Sequence, residues 1–414
     1  MIVKRAYRFR LYPNKEQEQV LARQFGACRF VYNHFLRARI DYYLAHKDSK
    51  GKKGLNYHDT ARMLTELKQQ PGYEWLREAN AQALQQTLRD LDTAYANFFR
   101  KQARFPRFKR KKRRQSFRVP QAFRIACPGG QAGEGNRLVI PKVSPIKIVV
   151  HRPVEGKMKH VTISCTPAGR YYASILCEVE IPDPKFQGGE IGLDLGLKSF
   201  AVTSNGEQIE HPRHLRKAER RLRRLQCRLS RRQKGSKGYE KARLALVRQH
   251  EKVANQRADF LHKLSRRLVD ENQVIHIEDL HVKGMLANHH LAKAISDSGW
   301  SEFVRQLEYK GRWYGCRVQK VDRFFPSSKR CHVCGYIHQD LRLSDREWTC
   351  LECGTVHNRD VNAAINILIF STAGTAGTYT PVESRVADSL KPEAPPSRPE
   401  TACGGVVHPD RPVM

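Results

Sequence analysis

Three acidic residues stand in contexts that favour metal-dependent chemistry. Asp194 lies in EIGLDLG and Glu278 in QVIHIEDL, where strand-like alternation places apolar residues on one face and the acid on the other. Asp360 begins the helix-like segment DVNAAINIL, whose Ala363 and Ala364 would allow close packing on a sheet. A carboxylate among apolar residues is partly desolvated and needs a cation to remain ionised. These acids are therefore candidate metal ligands.

The order of the acids favours cleavage of phosphodiesters. They lie more than 80 residues apart, so only tertiary folding can bring them together. A pair of Mg²⁺ ions, with Mn²⁺ as an alternative, would share such oxygen ligands and clamp the attacking and leaving oxygens. Each acid alone is explained equally well as a helix cap or a salt-bridge partner. Together, in strand–strand–helix order, they predict a metal-dependent nuclease core.

Four cysteines have the spacing of a zinc ribbon. Cys331 and Cys334 form one Cys-x-x-Cys pair, and Cys350 and Cys353 form a second pair after fifteen intervening residues. A glycine that suits a tight turn follows each pair. Two such pairs complete a tetrahedral Zn²⁺ site, and four sulfurs leave no open position. The expected zinc is therefore structural.

Other potential ligands carry weaker signals. His332, His338 and His357 could each replace a zinc ligand, although an ordinary surface histidine is the simpler interpretation. Seven further cysteines lack ligand spacing and are expected to be free thiols, namely Cys28, Cys127, Cys165, Cys177, Cys227, Cys316 and Cys403. No apolar run approaches the ~20 residues that span a bilayer, and the N-terminus lacks the apolar stretch of a signal peptide. We therefore expect a soluble, cytoplasmic protein.

The charge predicts a polyanionic partner. The chain has 75 Lys and Arg against 41 Asp and Glu, for a net charge of +34. Residues 101–118 hold ten basic residues with interleaved phenylalanines, and residues 212–267 hold 20 basic residues against four acidic ones. Solvated surface is the plainer alternative, but this one-sided balance favours nucleic acid. The candidate contacts are Arg107, Lys109, Arg110, Lys111, Lys112, Arg220, Arg224, Arg228 and Arg257.

Periodicity predicts the elements that position these residues. The chain is expected to contain a strand at 1–12, helices over 15–103, strands over 116–182 and over 190–206, a helical hairpin at 212–267 broken at Gly235 and Gly238, a strand at 273–280, a helix at 298–315 and a disordered tail from 371. The N-terminal strand has no partner nearby in sequence. It is expected to join the 116–182 sheet, which makes the helical segment an insertion into a small β domain.

These motifs resemble a known family. The order GLDLG, IEDL, two Cys-x-x-Cys pairs and RDVNAAINI resembles TnpB, the OrfB-type protein of IS200/IS605-like insertion sequences. RLYPNKEQ, RFVYNHFL, FPRFKRK and NQRADFLHKLS are also similar to that family, so the resemblance spans residues 1–370. It implies an α/β multidomain fold, with an RNase H-like (RuvC) nuclease core, an inserted zinc ribbon, and a β-barrel wedge domain carrying a helical insertion.

The resemblance also implies domain boundaries. The wedge barrel would comprise 1–14 and 106–186, the helical recognition domain 15–105, the RuvC-like domain 187–325 and 355–370 with its basic hairpin at 212–267, the zinc ribbon 326–354, and the disordered tail 371–414.

The implied activity is RNA-guided cleavage of double-stranded DNA next to a short adjacent motif, by a single RuvC site related to those of type V CRISPR effectors. Asp194, Glu278 and Asp360 match the catalytic acids of the family, and the four ribbon cysteines match its zinc ligands. The partners would be a guide RNA from the transposon end and the target DNA, held by a monomeric protein at the prokaryotic nucleoid. One departure is Asn358, where the family commonly has aspartate.

Two other functions remain open from the sequence. A cut-and-paste transposase also uses an RNase H-like acidic triad, but it would bind transposon ends as a multimer without RNA. A nuclease-dead regulator with a zinc ribbon would bind DNA without cutting it, although the intact acids argue against that function. Copurifying RNA and Mg²⁺-dependent cleavage would distinguish the three.

Overall fold

The computed structural model describes residues 1–48, 51, 54–111, 113–126, 136–181, 189–342 and 344–373. Lys112, Cys127, Cys403 and residues 374–414 of the predicted tail lie outside these ranges. The expectation that the tail begins at residue 371 is wrong, because residues 371–373 form the end of the last helix. The first half of the chain contains β1 (Ile2–Tyr12), α1 (Lys15–His46), α2 (Tyr57–Leu67), a 3-10 helix (Glu74–Arg77), α3 (Ala81–Phe99), β2 (Gln115–Val119), β3 (Arg124–Ala126), β4 (Arg137–Ile140), β5 (Val143–Val149), β6 (Lys157–Cys165) and β7 (Tyr171–Glu180).

The strands of this half form one antiparallel sheet of seven strands in the order β2-β6-β7-β1-β5-β4-β3. The N-terminal strand β1 pairs with β7 along Ile2–Leu11 and with β5 at Arg10–Tyr12, so it joins the sheet as expected. Alternation along β1 buries Tyr7, Phe9 and Leu11.

Helices α1 to α3 share a hydrophobic core with this sheet. Asn14 begins α1 with a capping box, in which its side chain accepts from the Gln17 N–H and the Gln17 side chain accepts from the Asn14 N–H. The apolar stripes predicted for the helices are largely buried, as at Val31 of α1 and Leu88 of α3. Sheet and helices are therefore one packed unit.

The second half of the chain contains β8 (Gly189–Asp194), β9 (Ser199–Thr203), β10 (Gln208–Glu210), α4 (His214–Ser230), α5 (Lys237–Glu271), β11 (Asn272–Glu278), α6 (Val282–Met285), α7 (Ala292–Ser298), α8 (Trp300–Tyr314), β12 (Arg317–Val321), β13 (Glu347–Thr349), β14 (Val356–Asn358) and α9 (Arg359–Ala373). Five strands form a mixed sheet in the order β10-β9-β8-β11-β12. Strands β8, β11 and β12 are mutually parallel, whereas β9 runs antiparallel to β8.

The predicted basic hairpin is formed by α4 and α5. Gly235 lies in the connecting turn with φ of 89°, a left-handed conformation that glycine adopts without strain. Ser236 caps α5 by accepting from the Tyr239 N–H at 3.0 Å. The expectation that Gly238 also breaks the helix is wrong, because this cap starts α5 at Lys237 and Gly238 lies inside its first turn.

Helix α9 packs against the five-stranded sheet through small residues. Ala363, Ala364 and Ile367 are buried at this interface. A Cβ atom on Gly192 of β8 would lie 2.0 Å from the carbonyl oxygen of Ala364, so only glycine permits this approach. In the described part of the chain, no helix combines the length and apolar character that crossing a membrane requires.

Candidate functional site

Two of the three acids lie at the same edge of the sheet. Asp194 is the last residue of β8 and Glu278 the last residue of β11. The two strands are parallel and hydrogen-bonded, and Leu193 pairs with Ile277 one residue before each acid. Because the carboxyl ends of adjacent parallel strands meet at one edge, the two carboxylates lie side by side.

The third acid reaches this edge from α9. Asp360 is in the first turn of α9, and its carboxylate is 24% exposed. The contact between Gly192 and Ala364 fixes how close α9 lies to β8, the strand that ends at Asp194. The separation of Asp360 from Asp194 is therefore set by backbone packing rather than by flexible side chains.

The pKa of Asp194 responds to both of the other carboxylates. The pKa of Asp194 is raised to about 7, first because the carboxyl is buried and then because Glu278 and Asp360 place negative charge beside it. Burial also raises the pKa of Glu278. Arg359 and Arg346 act in the opposite direction on Asp194, more weakly than these causes. A divalent cation would relieve the mutual repulsion of these acids.

Protein donors hold two of the acids. The Ser327 hydroxyl donates a hydrogen bond to Glu278, and Arg346 Nη1 lies 3.2 Å and 3.4 Å from the two carboxylate oxygens of Asp360. Asp360 therefore forms a salt bridge with Arg346, which was the alternative interpretation of each acid. Its carboxylate also raises the pKa of Asp194. Sequence analysis missed both Ser327 and Arg346, since nothing in their spacing connects them with the acids.

The four ribbon cysteines converge. Their sulfurs all lie within 4.8 Å of one another, with 3.6 Å between Cys331 and Cys353 and 3.5 Å between Cys334 and Cys350. The glycine after each pair has positive φ, and its N–H donates to the carbonyl of the first cysteine of that pair. These residues fit a tetrahedral zinc site. Among the described residues the three carboxylates do not form so close a group.

The ribbon histidines differ from one another. His357 is buried, and its Nε2 lies 3.0 Å from the sulfur of Cys331, so the interpretation of His357 as an ordinary surface histidine is wrong. His332 Nδ1 is hydrogen-bonded to Asn362 at 2.9 Å, and the ring of His338 packs edge-on against Trp348.

Two asparagines of α9 join the ribbon to the acids. Asn362 Nδ2 donates to the Arg330 carbonyl at 2.7 Å, and Asn366 Nδ2 donates to the carbonyls of Ser327 and Arg330 at 2.9 Å and 2.6 Å. Both asparagine side chains are buried. The segment from Ser327, which binds Glu278, to Cys331 is thus fixed to the helix that carries Asp360. The i, i+4 spacing of two asparagines in an apolar helix was the signal that could have revealed this link.

Asn358 caps α9. Its Oδ1 accepts from the Val361 N–H at 3.2 Å, three residues into the helix. Asparagine and aspartate are about equally good at this position. The departure from the common aspartate of the resembling family therefore preserves the cap.

The candidate nucleic-acid contacts differ in exposure and pairing. Arg220, Arg224 and Arg228 are exposed at i, i+4 spacing along one face of α4, and are referred to below as the α4 arginines. Arg107, Arg110 and Lys111 are exposed as well. Lys109 Nζ lies 3.9 Å from the centre of the Tyr32 ring, and Arg257 Nη2 lies 2.8 Å from the buried carboxylate of Asp297. Arg257 is therefore already engaged within the protein.

Comparison with family sequence models gives three matches. Residues 174–289 match the OrfB_IS605 family, described as "Probable transposase", and residues 300–367 match the Cas12f1-like TNB domain. Residues 1–48 match the OrfB_IS605 helix-turn-helix domain, although residues 2–46 here form one strand and one long helix.

Individual proteins are similar over nearly the whole chain. A Streptomyces pristinaespiralis protein named "Putative RNA-guided DNA endonuclease" is 40% identical over 96% of this chain and 94% of its own length. The Escherichia coli K12 protein InsQ, named in the same way, is 36% identical over 88% of this chain and 91% of its own length. The Cas12f1 chain, solved as a complex with single-guide RNA and target DNA, shares the fold with a TM-score of 0.53 at 13% identity, over 88% of this chain and 98% of that chain.

Proposed function

Because this chain belongs to the OrfB-type TnpB family of IS200/IS605-like insertion sequences, we propose that it is an RNA-guided, metal-dependent DNA endonuclease with a single RuvC-type site. The observation that carries this proposal is the meeting of Asp194, Glu278 and Asp360 at one sheet edge. There, burial raises the pKa of Asp194, and the negative charges of Glu278 and Asp360 raise it further.

The acids fit a pair of divalent ions. Their oxygens are the hard ligands that Mg²⁺ prefers, with Mn²⁺ as an alternative. The pKa of Asp194 is raised to about 7 by burial and then by the charges of Glu278 and Asp360, and such ions would offset both effects. When bound, the ions would stabilise the charge that develops on the cleaved phosphodiester. The protein's own part is positional. Ser327 orients Glu278 through its hydroxyl, and Arg346 restrains Asp360.

The zinc ribbon would act as a structural support for this site. Cys331, Cys334, Cys350 and Cys353 would hold Zn²⁺, and the α9 asparagines transmit the ribbon's position to Asp360. The ribbon would therefore contribute to cleavage by positioning Asp360 rather than by contacting the substrate.

The other domains would hold nucleic acid. We propose that the antiparallel sheet belongs to a wedge barrel (1–14 and 106–186) and that 15–105 is the recognition insertion. Residues 187–325 and 355–370 would form the RuvC domain, and 326–354 the ribbon. A guide RNA from the transposon end and double-stranded target DNA would bind this basic surface, next to a short adjacent motif. The protein would act as a monomer with one RNA in the cytoplasm, at the nucleoid. If base pairing with the guide RNA selects the target sequence, the protein needs to hold only the nucleic-acid backbone. This accounts for the extended positive charge at the α4 arginines and at Arg107, Lys109, Arg110 and Lys111.

Purified ribonucleoprotein tests the proposal. RNA that copurifies with the chain is sequenced, and a plasmid carrying the matching target is incubated with Mg²⁺ or with EDTA. We expect cleavage only with RNA, target and Mg²⁺ together, and none by Asp194→Ala, which should still bind the target. Cleavage of transposon ends by RNA-free protein would identify a transposase instead, and binding without any cleavage would identify a regulator.

A further inference from the structure

An aromatic side chain projects into solvent from the loop that contacts Glu278. Phe324 lies in the loop between β12 and the zinc ribbon, and its side chain is 85% exposed, the highest value among the large apolar residues of the described chain. Isolated exposed apolar residues are common on protein surfaces and need no explanation by themselves. The setting of Phe324 is what distinguishes it.

The loop around Phe324 is anchored on several sides. Arg323 Nη2 lies 2.5 Å from Asp279 Oδ2, next to Glu278 in sequence, and the Ser327 hydroxyl binds Glu278 itself. The Phe325 ring stacks on Phe370 of α9 with centroids 4.1 Å apart and planes 24° apart. The N–H of Phe324 donates to Asp322 Oδ1 at 2.8 Å. Phe324 therefore has a fixed backbone and an exposed ring.

The distance from Phe324 to the acids is short. Ser327, which holds Glu278, is three residues away, and three residues span at most about 11 Å. The ring therefore lies within a few nucleotides of any phosphodiester placed at the carboxylates. Base stacking on an aromatic ring tolerates every base, which suits a protein whose target sequence is read by a guide.

We propose that Phe324 is a stacking platform for an unpaired base of the DNA strand that enters the carboxylate site. This inference rests on the proposed nuclease function and names a positioning residue for it. Within a duplex each base is already stacked on its neighbours, so the platform acts on a strand that has been separated from its complement. The stacked base fixes the register of the strand, and thereby the phosphodiester that meets Asp194 and Glu278.

Abasic substrates test the stacking directly. In the ribonucleoprotein with Mg²⁺, the base is removed at each position near the cut in turn, and cleavage is compared between wild type and Phe324→Ala. With intact DNA, Phe324→Ala should slow cleavage or weaken strand binding on the order of tenfold. In wild type, one abasic position should cause a similar loss, and in Phe324→Ala that position should cause no further loss. Phe324→Trp should restore cleavage and Phe324→Leu should not.

A matched control and a binding assay complete the design. Phe99, at the end of α3, is 74% exposed but lies in a different part of the fold, and Phe99→Ala should leave the abasic profile unchanged. In Asp194→Ala protein, 2-aminopurine at the sensitive position should be quenched on binding, and Phe324→Ala should abolish this quenching.

The outcomes separate the two proposals. The stacking inference is overturned, and the nuclease proposal is unaffected, if Phe324→Ala cleaves like wild type. The same holds if Phe324→Ala reduces cleavage by the same factor on intact DNA and on DNA that is abasic at the sensitive position. Quenching that depends on Phe324 in a wild-type protein that never cleaves would overturn the nuclease and leave the stacking in place.

Discussion

Replacing Gly192 with alanine should separate α9 from β8 and disable the site. The added Cβ would lie 2.0 Å from the Ala364 carbonyl oxygen, whereas real Cβ contacts are essentially never shorter than 3.0 Å, so the two backbones must part by at least 1.0 Å. The obstacle is backbone, so no side-chain rotation can relieve it. Overpacking of this kind costs about 1–3 kcal/mol of stability.

The same displacement moves Asp360 away from Asp194. A misplacement of about 1 Å costs roughly 100-fold in rate when reacting groups must be aligned. We therefore expect Gly192→Ala to cut its guided target about 100-fold more slowly in single-turnover assays. Its copurifying RNA and zinc content should be retained, because α9 shifts while the rest of the fold persists.

Gly189 provides the matched control on the same strand. A Cβ at Gly189 meets no atom within 4 Å, so Gly189→Ala should cleave and melt like wild type. Cleavage by Gly192→Ala within twofold of Gly189→Ala, with an unchanged melting temperature, would refute the packing argument. Loss of RNA and zinc together with cleavage would show instead that the contact supports the whole fold.

The buried acid, the cysteine cluster, the α9 cap and the α4 arginines can each be perturbed separately. Because folding raises the pKa of Asp194 to about 7, the folded protein loses stability as pH rises from about 4 to 7. In EDTA, Asp194→Asn should therefore raise the melting temperature at pH 8 but not at pH 4, by about 2–4 °C for each kcal/mol. The same variant should abolish cleavage. No difference between the two pH values would contradict the burial of that carboxyl. Cys350→Ser should lose both its zinc, measured by atomic emission, and its cleavage activity. Cys227→Ser, at an exposed free thiol, should lose neither. Full activity without zinc would refute the structural role of the metal. Asn358→Asp should keep the α9 cap and cleave the target at a rate within about twofold of wild type. Asn358→Ala should lose about 1 kcal/mol of unfolding free energy, measured by denaturant titration. Equal stability of the two variants would exclude the cap. Changing all three α4 arginines to glutamine should reduce the steepness of log K for nucleic-acid binding against log salt concentration by about 2–3, for duplex DNA or RNA. An unchanged slope would show that these arginines do not contact phosphates.

Local sequence patterns correctly predicted the elements that carry the candidate site. Alternation around Asp194 and Glu278, the Cys-x-x-Cys spacing and the small residues after Asp360 each reflect constraints that act within a few residues. The structure places both strands, the cysteine cluster and α9 where these patterns indicated. The same holds for β1, whose alternation indicated a strand in need of a distant partner.

Contacts between distant segments escaped sequence analysis. Ser327 binds Glu278 across 49 residues, and Arg346 pairs with Asp360 from a different element, so neither has a local signature. His357 looked like a surface residue because hydropathy does not register a buried ring packed against a sulfur. Gly238 was expected to end a helix because glycine is a poor helix former, but the Ser236 cap and packing of α5 outweigh that preference.

The sequence by itself identified the candidate metal ligands, predicted a polyanionic partner and indicated the family that the chain resembles, because side-chain type, spacing and net charge are local or additive properties. Only the tertiary structure decided how the acids meet. It brought β8 and β11 side by side in parallel, set α9 against Gly192, and connected the segment that carries the cysteine cluster to α9 through Asn362 and Asn366. The physical reason is that close packing of segments far apart in the chain both buries Asp194 and fixes its distances to Glu278 and Asp360, and together these raise its pKa.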